Sequence, residues 1–297
     1  MAKLKEVKLK IAGVKKTRQI TSAMKMVATS RLRGAQMGME AFRPYASKFA
    51  EVLGSLAAKS GGESSPLLVP REEVKKVHII LCTSDRGLCG GFNMNLIDLA
   101  ERYLKKQADK NIEISFTAFG KRGRDWCKKS KLNLGDQYIG VVGANFGFNV
   151  ASTSGRKLIN EFLASTYDEV HVIYARFISV GKQVPIIQQI LPIPPIESVE
   201  ENKVASSATY LPEHICEPSP EELLNDMLPR NVFIQIHSAL LETSTSEHAA
   251  RMTAMDNATK ACNDMVNELK RLYNKVRQAA ITADLMDIVG GAEALKG

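Results

Sequence analysis

Apolar positions at the two ends of this chain recur in steps of three and four, while those in its middle come in short solid runs or alternate. Near the start, Leu4, Val7, Ile11 and Val14 follow the seam spacing of a coiled coil. The pattern then predicts a phase slip: Arg18 and Thr21 fall on the expected seam, while Ile20, Met24 and Val27 form a new stripe. Beyond Gly34 and Gly38 a further heptad run follows as Phe42, Tyr45, Phe49, Val52 and Leu56, with Pro44 as a candidate kink or division. At the other end, Asn231 to Val289 contains neither glycine nor proline. A continuous helix there would be roughly 90 Å long at about 1.5 Å per residue, too long for a single-domain core to cover. On it Met252, Met255, Ala258, Cys262, Met265, Leu269, Leu272 and Val276 step by three and four, and Val266, Tyr273 and Ala280 widen the stripe.

The middle reads as alternating strands and helices. Strands are expected at Val77–Cys82, Ile112–Phe119, Glu169–Phe177 and Val184–Leu191. Helices are expected at about Met94–Lys106, Arg122–Lys129 and Ser152–Ser165, a βαβ rhythm that implies a small α/β domain. Ser60 to Pro66 reads as a loop, and 199–220 as polar and proline-punctuated with one edge strand at Ala208–Leu211. Ser219 and Pro220, followed by Glu221 and Glu222, form a helix-start signature before Pro229 interrupts. The fold class is therefore α/β with long helices: an antiparallel coiled coil of the N- and C-terminal helices plus an inserted Rossmann-like α/β domain. Its expected divisions are 1–60 for the first helix, 72–196 for the α/β domain, 197–230 for a linker and short helix, and 231–297 for the second helix.

Charge sharpens this picture. Residues 1–33 carry ten lysines and arginines against Glu6 alone, a net +9 in a chain whose total is +8. Such a basic face attracts nucleic acid, a membrane surface or an acidic protein. A nucleic-acid-binding coiled coil is the alternative reading. Against it, the basic residues share their helix with a seam that needs a partner, and no aromatic residue for base stacking precedes Phe42. No apolar stretch approaches the about 18 residues of a transmembrane helix, and the first residues lack the apolar run of a secretory signal. Five cysteines without a C-x-x-C pair point to reduced thiols rather than a disulfide framework.

Candidate chemistry is sparse. The turn from Asp85 to Asn93 follows a strand and opens a helix, but reads G-x-x-G-G and matches neither nucleotide-binding glycine fingerprint, so a structural turn is expected. The five histidines show no H-x-x-x-H pair, and His78 and His171 lie in strands as structural residues. No catalytic residue, cofactor or metal ligand is assigned. The last turn, Ala283 to Ala292, is apolar enough to want a socket, and with no helix left to pair with it, an external sleeve is implied.

Three motifs carry a resemblance. They are Thr17-Arg18-Gln19-Ile20-Thr21-Ser22-Ala23-Met24-Lys25-Met26-Val27-Ala28, then Ser84-Asp85-Arg86-Gly87-Leu88-Cys89-Gly90-Gly91-Phe92-Asn93, then Ser246-Glu247-His248-Ala249-Ala250-Arg251-Met252-Thr253-Ala254-Met255 with Arg277-Gln278-Ala279-Ala280-Ile281-Thr282. Together they resemble the gamma subunits of F-type ATP synthases along essentially the whole chain. The resemblance implies a rotor shaft without an active site of its own, turned by ion flow through the membrane c-ring and driving conformational change at catalytic beta subunits. It implies alpha and beta subunits, the epsilon subunit and the c-ring as partners, with no nucleic acid. By position it implies partner contacts at Met24 and Lys25, at Arg277 and Gln278, and at the tip residues Leu285, Met286, Ile288 and Val289. It also implies that the basic first helix meets an acidic loop at the base of the catalytic ring. Met1 directly before the first helix and the absence of a chloroplast-type dithiol insertion fit a bacterial protein, peripheral on the cytoplasmic face of the plasma membrane.

Overall fold

The structure, a computed structural model, describes residues 2–59, 65–108, 110, 112–144, 146–194, 217 and 219–294. The expected edge strand at Ala208–Leu211 and most of the 197–230 segment lie outside the described residues. The elements run α1 (Ala2–Lys59), β1 (Lys76–Cys82), α2 (Phe92–Ala108), β2 (Glu113–Phe119), α3 (Lys121–Lys129), β3 (Asn133–Tyr138), α4 (Phe148–Leu163), β4 (Glu169–Ser179), β5 (Lys182–Leu191) and α5 (Pro220–Ala294).

The chain divides into two compact units, one of residues 30–250 and one of 1–29 with 251–297. The boundaries fall inside the long helices rather than at their ends. In the larger unit the sheet order is β3-β2-β1-β4-β5. Strand β1 pairs parallel with β2 and β4, β2 parallel with β3, and β5 closes the edge antiparallel to β4. The apolar run Val77–Cys82 lies at the sheet centre and is buried on both faces, as a central parallel strand must be. Pro185 lies in β5, an edge strand paired on one side only, which is where a sheet accepts proline.

Alternation of side chains sends β1 into two cores. Val77, Ile79 and Leu81 meet Phe92, Leu96 and Ala100 of α2 and Cys127 of α3. Ile80 and Cys82 join Leu158 and Phe162 of α4 with Leu224, Leu228, Val232, Phe233 and Leu240 of α5. Gly155 lets α4 lie this close: a Cβ there would sit 2.4 Å from Phe233 Cδ1. This packing corrects two expectations. The helix expected from Asn231 begins at Pro220, where the Ser219 hydroxyl accepts from the Glu222 N–H at 3.2 Å, and it runs through Pro229. Leu224, Leu228 and Val232 step by four along one buried face, and their burial offsets the lost backbone hydrogen bond. Pro44 likewise sits inside an undivided α1.

Strand β3 had no counterpart in the sequence pattern. Asn-Leu-Gly-Asp-Gln-Tyr is polar, and its residues are alternately exposed and half-buried, as befits the outermost strand of a sheet.

Candidate partner-contact surface

The smaller unit pairs the start of α1 with the latter part of α5. Polar contacts cross between the helices. Arg18 Nη1 donates to Asn263 Oδ1 at 3.1 Å, the Thr259 hydroxyl donates to the Thr21 hydroxyl at 2.8 Å, and Lys25 Nζ donates to Asp256 Oδ1 at 2.6 Å. In each pair the residue numbers add to 280 or 281, so the helices are antiparallel and in constant register.

These contacts overturn the expected phase slip. Shielded positions on α1 continue through Leu4, Val7, Ile11, Val14, Thr21, Lys25 and Ala28 at unbroken heptad spacing, with Arg18 in step. The seam keeps its phase and becomes polar in composition. Ile20 and Val27, 60% and 56% exposed, are left facing outward instead of forming a second seam. On α5 the shielded positions include Met252, Met255, Ala258, Thr259, Cys262, Val266, Leu269, Tyr273, Val276 and Ala280. Val266 is 5% exposed, whereas Met265 and Leu272, read as seam residues from the sequence, are 51% and 46% exposed. Hydrophobicity alone cannot choose between adjacent apolar residues; the opposing helix does.

The implied contact residues now have definite settings. Met24 is half-buried. Lys25 is half-buried and bound to Asp256, whose other carboxylate oxygen takes Lys260 Nζ at 2.8 Å. The hydrogen bonds from Lys25 and Lys260 hold the Asp256 carboxyl well below its ordinary value, at about 2. Lys5, Lys8, Lys15 and Lys16 are exposed on α1. Arg277 and Gln278 are exposed on α5. At the register of the three pairs, Ala2 falls level with Ala279, so α5 beyond that point has no stretch of α1 opposite it. Every residue from 281 to 292 is exposed, with Leu285 at 58%, Met286 at 65%, Ile288 at 72% and Val289 at 51%. An apolar helix end this bare is suited to insertion into a partner.

In the larger unit the glycine turn spends its polar atoms internally. Asn93 Oδ1 accepts from the Ser84 N–H at 2.9 Å, and Asn93 Nδ2 donates to Cys89 Sγ at 3.1 Å. The Asp85 carboxylate accepts from the N–H groups of Lys121 and Gly140, both at 3.0 Å, tying the ends of three strands together. Gly120 must be glycine: its φ is +100°, and a Cβ would lie 2.1 Å from the Thr83 carbonyl oxygen. His78 is buried between the Ser115 and Thr117 hydroxyls at 2.7 and 2.9 Å, and burial lowers its pKa to about 4. His171 lies 2.8 Å from a Glu169 oxygen. Burial pushes the Cys127 thiol up to about 12 and Cys82 higher still, so neither is a nucleophile near neutral pH. Among the described residues no cluster of histidine, cysteine or carboxylate side chains could hold a metal, and no helix is long and apolar enough to cross a membrane.

The profile of the ATP synthase family matches residues 3–295. The chain is 70% identical to the ATP synthase gamma chain of Desulfosudis oleivorans over 298 residues, covering 100% of both chains. It is 64% identical to that of Desulforapulum autotrophicum, covering 99% of this chain and 100% of the relative. Among solved structures it is similar to a chain of the Tetrahymena thermophila mitochondrial ATP synthase central stalk and c-ring, at TM-score 0.59 and 26% identity over 80% of this chain and 99% of that one. A chain of the Euglena gracilis mitochondrial ATP synthase, in an assembly of OSCP, F1 and c-ring, has the same fold at TM-score 0.65 and 19% identity, covering 99% of this chain and 95% of that one.

Proposed function

From the premise that this chain belongs to the ATP synthase family as a gamma chain, we propose how its surfaces are shared among partners. It is a non-catalytic central-stalk subunit, and the chemistry of ATP takes place on beta subunits. Its association with the membrane is peripheral, through the complex.

The paired helices of the smaller unit form the shaft within a ring of alpha and beta subunits. Met24 and Lys25 face the catalytic subunits on one side, and Arg277 and Gln278 meet a catalytic-subunit loop on the other. Leu285, Met286, Ile288 and Val289 seat in an apolar sleeve. The basic surface of α1 faces an acidic loop of the ring, and the α/β body meets the epsilon subunit and the c-ring. Ion flow through the c-ring turns the shaft, whose unequal faces stabilise different conformations of the catalytic sites in turn. The complex lies on the cytoplasmic face of a bacterial plasma membrane.

One observation carries this reading: α5 outruns its partner helix and presents bare apolar side chains where an isolated coiled coil would expose none. The test is Arg277→Ala with Gln278→Ala in the assembled enzyme. Loss of a contact worth more than about 1 kcal/mol lowers ATP synthesis in membrane vesicles about fivefold or more, with the α/β body still folded. Unchanged synthesis would remove this pair from the contact surface.

A further inference from the structure

The seam of the smaller unit is polar where a coiled coil gains most from apolar side chains, and one of its seam positions is a lysine. Lys25 and Lys260 bind the two oxygens of Asp256 from different helices, at 2.6 and 2.8 Å. The side chain of Lys25 is 42% exposed and that of Lys260 is 70% exposed, so neither lysine is sealed between the helices. Lys260 reaches back one turn along its own helix, the i,i+4 geometry that holds locally without help from α1.

This arrangement separates what holds the helices in register from what can leave. If Lys25 swings outward, Asp256 keeps a counter-ion and α1 keeps Thr21 against Thr259 and Arg18 against Asn263. A carboxylate with one cation would resist that departure, because its remaining charge would be left in the groove between the helices. The second cation lowers the cost of release.

We propose that Lys25 is an exchangeable cation, moving between Asp256 on the shaft and a carboxylate of the surrounding catalytic ring, and that Lys260 makes the exchange possible. Asp256 and Lys260 are then positioning residues for the contact that Lys25 makes. This inference rests on the reading above that Lys25 meets the catalytic subunits. Each rotational position of the shaft presents Lys25 with a carboxylate at a different distance, and its residence passes from one to the other.

The experiment uses the co-expressed complex of this chain with alpha and beta subunits and measures ATP turnover in four variants. Lys25→Met reports on the contact itself. A slowing of about twofold to fivefold, the range an exposed ion pair is worth, is expected, and unchanged turnover would defeat the contact reading on which the inference rests. Lys260→Met should also slow turnover, because Asp256 then holds Lys25 alone; Lys260→Arg, which keeps the charge, should restore it. The deciding variant combines Lys260→Met with Asp256→Asn. Exchange requires recovery toward the parent rate, because nothing on the shaft then retains Lys25. A merely structural cluster would lose more with each side chain removed. A deeper loss in the double variant, or a neutral Lys260→Met beside a slow Lys25→Met, overturns the exchange and leaves the contact standing.

Discussion

His78 shows how one side chain can be both out of place and fully accounted for. It lies in the central strand, its two ring nitrogens each meet a hydroxyl, and its ring stacks on Tyr167 at 4.3 Å between centroids. Burial disfavours the imidazolium, and the folded pKa falls to about 4 from the ordinary 6.5. A base held neutral in the fold binds fewer protons than it does when unfolded, so its contribution is complete above pH 6.5 and is lost as pH falls from there toward 4. Between pH 7 and pH 5 that loss is about 2 kcal/mol. Denaturant unfolding at the two pH values should show a drop of this size, and His78→Asn should flatten it; an equal drop in the variant would assign the sensitivity elsewhere. Asp256 has the opposite dependence. Its depressed carboxyl contributes at all ordinary pH, and helix pairing loses that contribution only as pH falls from about 3.8 toward 2.

Element-scale reading succeeded where burial is one-sided or complete and failed where it is neither. The run Val77–Cys82 was legible as a central strand because both its faces are buried. Strand β3 was not, because an edge strand of polar residues has the composition of a loop. The seam was half legible. Leu4, Val7, Ile11 and Val14 announce it, but Thr21 and Lys25 continue it with hydrogen bonds that leave no trace in hydrophobicity. The apolar stripe of Ile20 and Val27 suggests a second seam by its spacing, yet both side chains face outward. On α5 the same ambiguity can be put to measurement. Val266→Ala should lower stability by about 1–3 kcal/mol through the space it leaves in the seam, and Met265→Ala by less than about 0.5. Thermal unfolding followed by helical circular dichroism separates them; equal effects would mean that the seam runs through Met265 after all.

At the scale of the chain, the clearest fact is a division of labour in composition. The first 33 residues hold a net +9 and the rest sums to −1, so the net positive charge of the chain is carried by the first half of α1. The α/β body carries its own two cores and ties its glycine turn back on itself through the Ser84 N–H and Asn93. What the sequence could not supply was the identity of the side chains left over after internal pairing, because that list exists only once both helices are placed. Leu285, Met286, Ile288 and Val289 belong to it, and their exposure sets the behaviour of the isolated chain. Expressed alone it should self-associate, and expressed with alpha and beta subunits it should co-purify as an ATPase; a monodisperse monomer with no affinity for them would contradict the assignment of partners.

Antiparallel pairing of the two ends also dictates an order of manufacture. Lys25 leaves the ribosome 231 positions before Asp256. At roughly 5–20 residues per second, that gap is about 10–50 s of synthesis. Through all of it the nascent first helix carries an uncovered seam of Leu4, Val7, Ile11 and Val14, and closing so long a loop is slow even after release. The half-made shaft therefore depends on whatever shields that seam before its own last helix exists.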